Sequence, residues 1–163
     1  MTRYYGAYGS NLNKKQMAFR CPGSQIAGVA FLQDWQLEFK LHLTIEPEKG
    51  KYVPLGVWEI SEENEKSLDY YEGIPYYYYK TELPALLQKP DGTNEQISVM
   101  LYIMDESREY SVPTDAYYQI CRTGYDHFGF DAEIIDGALT RVASRPDAMQ
   151  STVCPYLKLI RDA

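Results

Sequence analysis

Glu72 stands in the stretch DYYEGIPYYYYK, Asp69 to Lys80, with six tyrosines around it. One carboxylate at a helix end among phenols suits general acid–base chemistry, because burial and the negative end of the helix dipole both lift its pKa toward neutrality. The same residue also fits a plain solvated acid at the end of a helix. A second candidate precedes it. YYGAYGSN, Tyr4 to Asn11, puts two glycines and a serine where a strand runs into a helix start. Several backbone N–H groups then share one concavity, which can hold a carboxylate, a phosphate or a developing oxyanion. Taken alone, such a turn needs no function beyond tight geometry. Ser10 has no histidine near it in sequence, since His42 and His127 are the two in the chain. Cys21, Cys121 and Cys154 are widely spaced and form no ligand or CxxC pattern, so no metal site is expected and free thiols are.

The elements that must position these groups follow from pattern. Arg3 to Tyr8 reads as a strand. Asn13 caps the helix NKKQMAFR, with Gln16 set to complete a capping box, and CPG at Cys21 to Gly23 stops it. Next comes a period of two. Val29, Phe31, Trp35, Leu37, Phe39 and Leu41 are expected on one face, with Gln36, Glu38, Lys40 and His42 on the other, and a bend or bulge at Gln33–Asp34. LTI and PLGVWEI read as two further strands separated by an exposed turn, EPEKGKY. SEENEKSLDYYEG reads as a helix capped by Ser61, ended by Gly73 and Pro75, and anchored by Leu68 and one of Tyr70 or Tyr71. Two strands joined at KPDGTN follow, with Pro84 at an edge or bulge. In the first of them Tyr76 and Tyr78 point one way, Tyr77 and Tyr79 the other. Two helices close the pattern, one carrying Tyr117, Ile120, Cys121, Gly124 and Phe128, the other capped by Asp131. The expected fold is α+β, with a central mixed or mostly antiparallel sheet. One domain is expected over residues 1–145, with a tail, 146–163, packing on it.

The whole chain narrows the function classes. Its 163 residues are enough for one real core, and a net charge of −7 disfavours nucleic acid or an acidic membrane as the main partner. No apolar run approaches the roughly 20 residues that span a bilayer. The first ten residues lack the basic start and apolar core of a signal peptide, so a cytoplasmic protein is expected.

YYGAYGSNLN, SLDYYEGIPYYYYK and YYQICRTGYDHFGF, in that order, resemble the gamma-glutamylcyclotransferase-like family. The resemblance spans residues 4–130. It implies a small mixed β-barrel flanked by helices, and an enzyme without metal or organic cofactor. The implied reaction is attack by the α-amine of a gamma-glutamyl group on its own γ-carbonyl, releasing 5-oxoproline and an amine. Glu72 falls on the family's catalytic glutamate. The glutamyl-binding loop falls on Tyr5, Gly6, Ala7, Tyr8, Gly9 and Ser10, with Asn11 beside it. Tyr117 and either Tyr78 or Tyr79 fall on substrate-contacting tyrosines. The YGSN form resembles the branch acting on gamma-glutamyl amino acids more than the YGTL and YGSL branches. The leaving group stays open, as does a gamma-glutamyl biosynthetic intermediate as substrate. A non-catalytic binder of small carboxylates and an interaction module using the tyrosines are the readings of other classes, and a homodimer is compatible with the aromatic content.

Overall fold

The computed structural model describes residues 3–74 and 77–149. Five strands close into a barrel: β1 (Arg3–Ala7), β2 (Gln25–Lys40), β3 (His42–Ile60), β4 (Tyr78–Gln88) and β5 (Asn94–Met104). Around the barrel the order is β1-β3-β2-β4-β5. All pairings are antiparallel except β1 with β5, which meet in parallel at Tyr5 and Met100. Pro84 lies where β4 has β5 beside it, away from the single β2 contact at Gln88. Gly6 faces the barrel axis, where a Cβ would come within 2.8 Å of Leu101 and 2.9 Å of Val99. Four helices dress the outside: α1 (Lys14–Arg20), α2 (Glu62–Tyr71), α3 (Asp115–Phe128) and α4 (Ala132–Ser144). No described helix is long and apolar enough to cross a membrane.

Two sequence expectations for β2 and β3 need correction. The bulge falls at Gln33–Trp35, with Asp34 in the left-handed region at φ 65°. One extra residue there reverses the inward face. Before the bulge Ala30 and Leu32 are buried and Phe31 is exposed; after it Leu37 and Phe39 are buried. Glu38 and Lys40, expected outward, are buried too. Lys40 pairs with Glu46 at 2.9 Å, and Glu38 accepts from Gln36 at 2.7 Å, so their charges are matched under cover. The expected turn EPEKGKY does not separate two strands. β3 runs through it, and residues 48–51 swell out opposite Asp34, whose carboxylate accepts from the Gly50 amide.

The helix ends follow local chemistry. Asn13 accepts from the amides of Lys15 and Gln16 and so caps α1, but Gln16 turns to Arg20 instead of closing the expected box. Ser61 and Asn64 do form a full capping box at α2. Gly73, at φ 63°, ends α2 in the left-handed conformation that favours glycine. Leu68 anchors this helix. Neither neighbouring tyrosine does: Tyr70 is 82% exposed, and Tyr71 lies on the surface with the Arg20 guanidinium 4.7 Å from its ring centre. Of the C-terminal tail, residues 146–149 are described, and Met149 pairs with Ser111 beside β2. Residues 150–163, Cys154 among them, lie outside the described residues, as does Tyr76.

Candidate active site

A cleft of about 1180 Å³ opens at one end of the barrel, lined among others by Tyr5, Tyr8, Gly9, Glu72, Tyr78 and Tyr117. Each is placed by a separate element. Ala7 ends β1, and the chain bends through Gly9 into a short 3-10 turn, Ser10–Leu12. The opening amides of such a turn have no carbonyl of their own to donate to, so they are available to an anion. The turn is held rigidly. The Trp58 indole donates to the Asn11 carbonyl at 3.1 Å, and the Asn11 amide group donates to the Tyr5 hydroxyl at 2.9 Å. From outside, Leu12 and the backbone of Asn13 fill the space that a side chain at Gly124 of α3 would need.

Glu72 is the C-cap of α2, its amide bonded to the Leu68 carbonyl at 2.8 Å. The helix itself is pinned to the barrel by acids of its inner face. Asp69 accepts from the Tyr102 hydroxyl at 2.6 Å and from Lys80 at 3.0 Å, and Glu65 pairs with Arg3 and Lys80. Glu72 thus lies at the cleft wall, half-buried, with no hydrogen-bond donor to its carboxylate among the described residues. Burial pushes its carboxyl up from 4.5 to about 7, against the pull of the Arg20 guanidinium. The adjacent Tyr70 and Tyr71 do not supply this burial, contrary to expectation, because they face outward. The charge of Glu72 in turn helps push the Tyr5, Tyr8 and Tyr78 hydroxyls above their ordinary value, so these three face it across the cleft.

The choice between Tyr78 and Tyr79 is resolved by strand alternation. Tyr78 is 7% exposed and donates to the Leu43 carbonyl at 2.9 Å; Tyr79 is 44% exposed on the outer face. Tyr117, in the first turn of α3 and fixed by the Thr114 cap, accepts from the Leu43 amide at 3.0 Å. Its hydroxyl lies 3.3 Å from where a Gly9 Cβ would stand. The structure therefore brings together Glu72, Tyr5, Gly6, Tyr8, Gly9, Ser10, Asn11, Tyr78 and Tyr117 at the cleft. Ala7 is buried behind it, and Tyr79 is turned away. Ser10 and His42 share the cleft without pairing: the Ser10 hydroxyl accepts from Arg20 at 3.4 Å, and the His42 ring packs on Tyr117 with centres 4.6 Å apart. Among the described residues no cluster of His, Cys, Asp and Glu has the make-up of a metal site. Cys21 and Cys121 are buried free thiols, pushed up to about 11 and about 12.

Residues 5–119 match the protein family described as gamma-glutamyl cyclotransferase, AIG2-like. The chain belongs to that family. Gamma-glutamylcyclotransferase of Mus musculus is 29% identical over 146 residues, which span 81% of this chain and 74% of the mouse protein. A solved gamma-glutamyl cyclotransferase superposes with a TM-score of 0.73 over the full length of both chains, at 24% identity, a likeness of fold. An uncharacterized protein from Homo sapiens superposes with a TM-score of 0.71 at 26% identity, over 98% of each chain. The α+β barrel with flanking helices is thus the fold of this cyclotransferase-like family.

Within that fold, sequence reasoning missed Arg20. The guanidinium donates to the Asn11 side-chain carbonyl at 3.0 Å and to the Ser10 hydroxyl, and its charge acts on Glu72. The signal available was faint: a basic residue in the last turn of α1, three residues before Gly23, which usually serves only the helix dipole. Tyr102 and the Leu43 backbone were missed as well, because both reach the cleft through long-range strand pairing.

Proposed function

We propose that this protein is a cofactor-independent gamma-glutamyl cyclotransferase in which Glu72 serves in turn as base and acid. The observation that carries this reading is a carboxyl group raised to about 7, without a hydrogen-bond donor among the described residues, set in a cleft with a backbone-amide turn. Near neutral pH such a group both takes and returns protons readily.

The chemistry follows from the parts. Glu72 takes a proton from the substrate α-ammonium, and the freed amine attacks its own γ-carbonyl carbon. A ring C–N bond forms while the carbonyl oxygen gains charge. Glu72 returns its proton to the departing nitrogen as the bond to that nitrogen breaks. The ring nitrogen then sheds its second proton, which ends on the released amine as an ammonium. Because the attack is intramolecular, the cleft has chiefly to hold the glutamyl chain folded, and a well-oriented conformer supplies much of the acceleration. The Gly9–Ser10 amides take an anionic oxygen of the substrate, and Tyr5, Tyr8, Tyr78 and Tyr117 shape the pocket around it. The same reading makes the partner a small molecule and the setting the cytoplasm.

Incubation with gamma-glutamyl dipeptides, gamma-glutamyl amines and glutathione, followed by mass spectrometry for 5-oxoproline, tests this. Glu72→Gln keeps the shape and removes the base, and turnover is expected to fall by about 10²–10⁴. Wild-type turnover in that variant overturns the mechanism. Ligand-induced thermal stabilisation without product favours a binding protein.

A further inference from the structure

The cleft is larger than the roughly 300–1,000 Å³ typical of small-molecule sites, and a glutamyl group alone leaves much of it unfilled. Its inner half is the turn, Glu72 and the buried tyrosines. Its outer half is walled by the segment between β5 and α3, including Arg108, together with Tyr77. This segment is tied down at both ends. The Arg108 amide donates to the Asp105 carbonyl at 3.1 Å, and Leu41 of the β2–β3 connection donates to the Ser111 carbonyl at 3.0 Å.

Arg108 stands close to the reacting end through a single ring. Tyr77 donates from its amide to the Gly73 carbonyl at 2.9 Å, and its ring covers Gly73 so closely that a Cβ there would meet it at 2.5 Å. The Arg108 guanidinium lies 4.6 Å from the centre of that same ring. A cation stacked on an aromatic face keeps its N–H edge available for a planar anion. Arg108 is therefore one aromatic layer from the residue that follows Glu72.

Other charges of the cleft have different duties. Lys40 is held by Glu46 and by the Glu106 carbonyl, and Arg20 sits at the glutamyl turn. Of the acids at the outer end, Asp105 accepts from the Ser107 amide at 2.8 Å.

We infer that Arg108 and Tyr77 form the subsite for the leaving group, and that Arg108 selects leaving groups bearing a carboxylate next to the departing nitrogen: amino acids and short peptides, not simple amines. This rests on the cyclotransferase reading above. The departing nitrogen must lie beside Glu72 to be protonated, so whatever it carries extends toward Tyr77 and Arg108. A leaving amino acid presents a planar carboxylate there, the shape a guanidinium fork accepts in two parallel hydrogen bonds.

The test compares gamma-glutamyl-alanine with gamma-glutamyl-alaninamide, which differ in that carboxylate alone, by kcat/KM for 5-oxoproline formation. The wild-type protein is expected to prefer the acid by about 10- to 100-fold, the worth of one charge-assisted contact. Arg108→Met should collapse the ratio toward one, and Arg108→Lys should keep part of it. Melting curves check that the variants are folded, and the wild-type ratio is informative without any variant. Equal rates on the two substrates, or an unchanged ratio in Arg108→Met, overturn the subsite and leave the cyclotransferase reading standing. Absence of 5-oxoproline from both substrates overturns that reading and the subsite with it.

Discussion

Glu72→Gln should make the protein more stable, and only above the pH at which the native carboxylate ionises. The folded carboxyl titrates at about 7 against an ordinary 4.5. A group raised in the folded state favours folding while protonated, and that advantage is lost as pH rises through the folded value. At pH 8 the native state carries an ionised, half-buried carboxylate that the unfolded chain would solvate. At 1.36 kcal/mol per unit the handicap is at most roughly 3 kcal/mol, and the water still reaching the carboxyl reduces it. At pH 5 the folded group is protonated and the handicap falls below about 1 kcal/mol. Glutamine has no charge to strand. It should therefore raise Tm by about 4–10 °C at pH 8 and by no more than a few degrees at pH 5. Paired calorimetric or dye-based melts of the two proteins across pH 5 to 8 read this directly. A Tm difference that stays flat across the range would show that the carboxyl titrates normally, and would remove the physical basis for Glu72 as a base at neutral pH.

Two more expectations test neighbouring parts. Arg20→Met removes the charge that holds the Glu72 carboxyl down, so the acid limb of the kcat/KM–pH profile should move to higher pH. Activity at pH 7 should drop on the order of two- to tenfold and recover in more alkaline buffer; an unmoved profile would make Arg20 a brace for the turn alone. Tyr117→Phe strips the buried Leu43 amide of its acceptor, which should cost about 1–3 kcal/mol in urea unfolding.

What the sequence made legible was local. The Asn13 cap, the Gly-Ser-Asn turn, the end of α2 at Glu72 and the bulge at Asp34 each depend on a few neighbouring residues whose conformational preferences decide the outcome. What it did not disclose depends on barrel closure. The face of Tyr78 is set by pairing with Met104 across β5, and Arg20 meets Asn11 only because α1 folds back on the turn. Glu38 and Lys40 looked like an exposed polar stripe, because alternation cannot foresee that α4 and the segment after β5 will cover it. The bulge was visible, but its effect on phase was not, since one extra residue exchanges the two faces of everything beyond it.

Leu43 is gripped twice, its N–H by the Tyr117 hydroxyl of α3 and its C=O by the Tyr78 hydroxyl of β4. Its amide proton is therefore not shielded by a ladder bond to the neighbouring strand. It can exchange with solvent only when α3 draws back from the barrel mouth. In deuterated water this one amide serves as a clock for the opening of the cleft. Its slowing on addition of a ligand would register that the cavity has been filled from within, independently of whether any bond is made or broken.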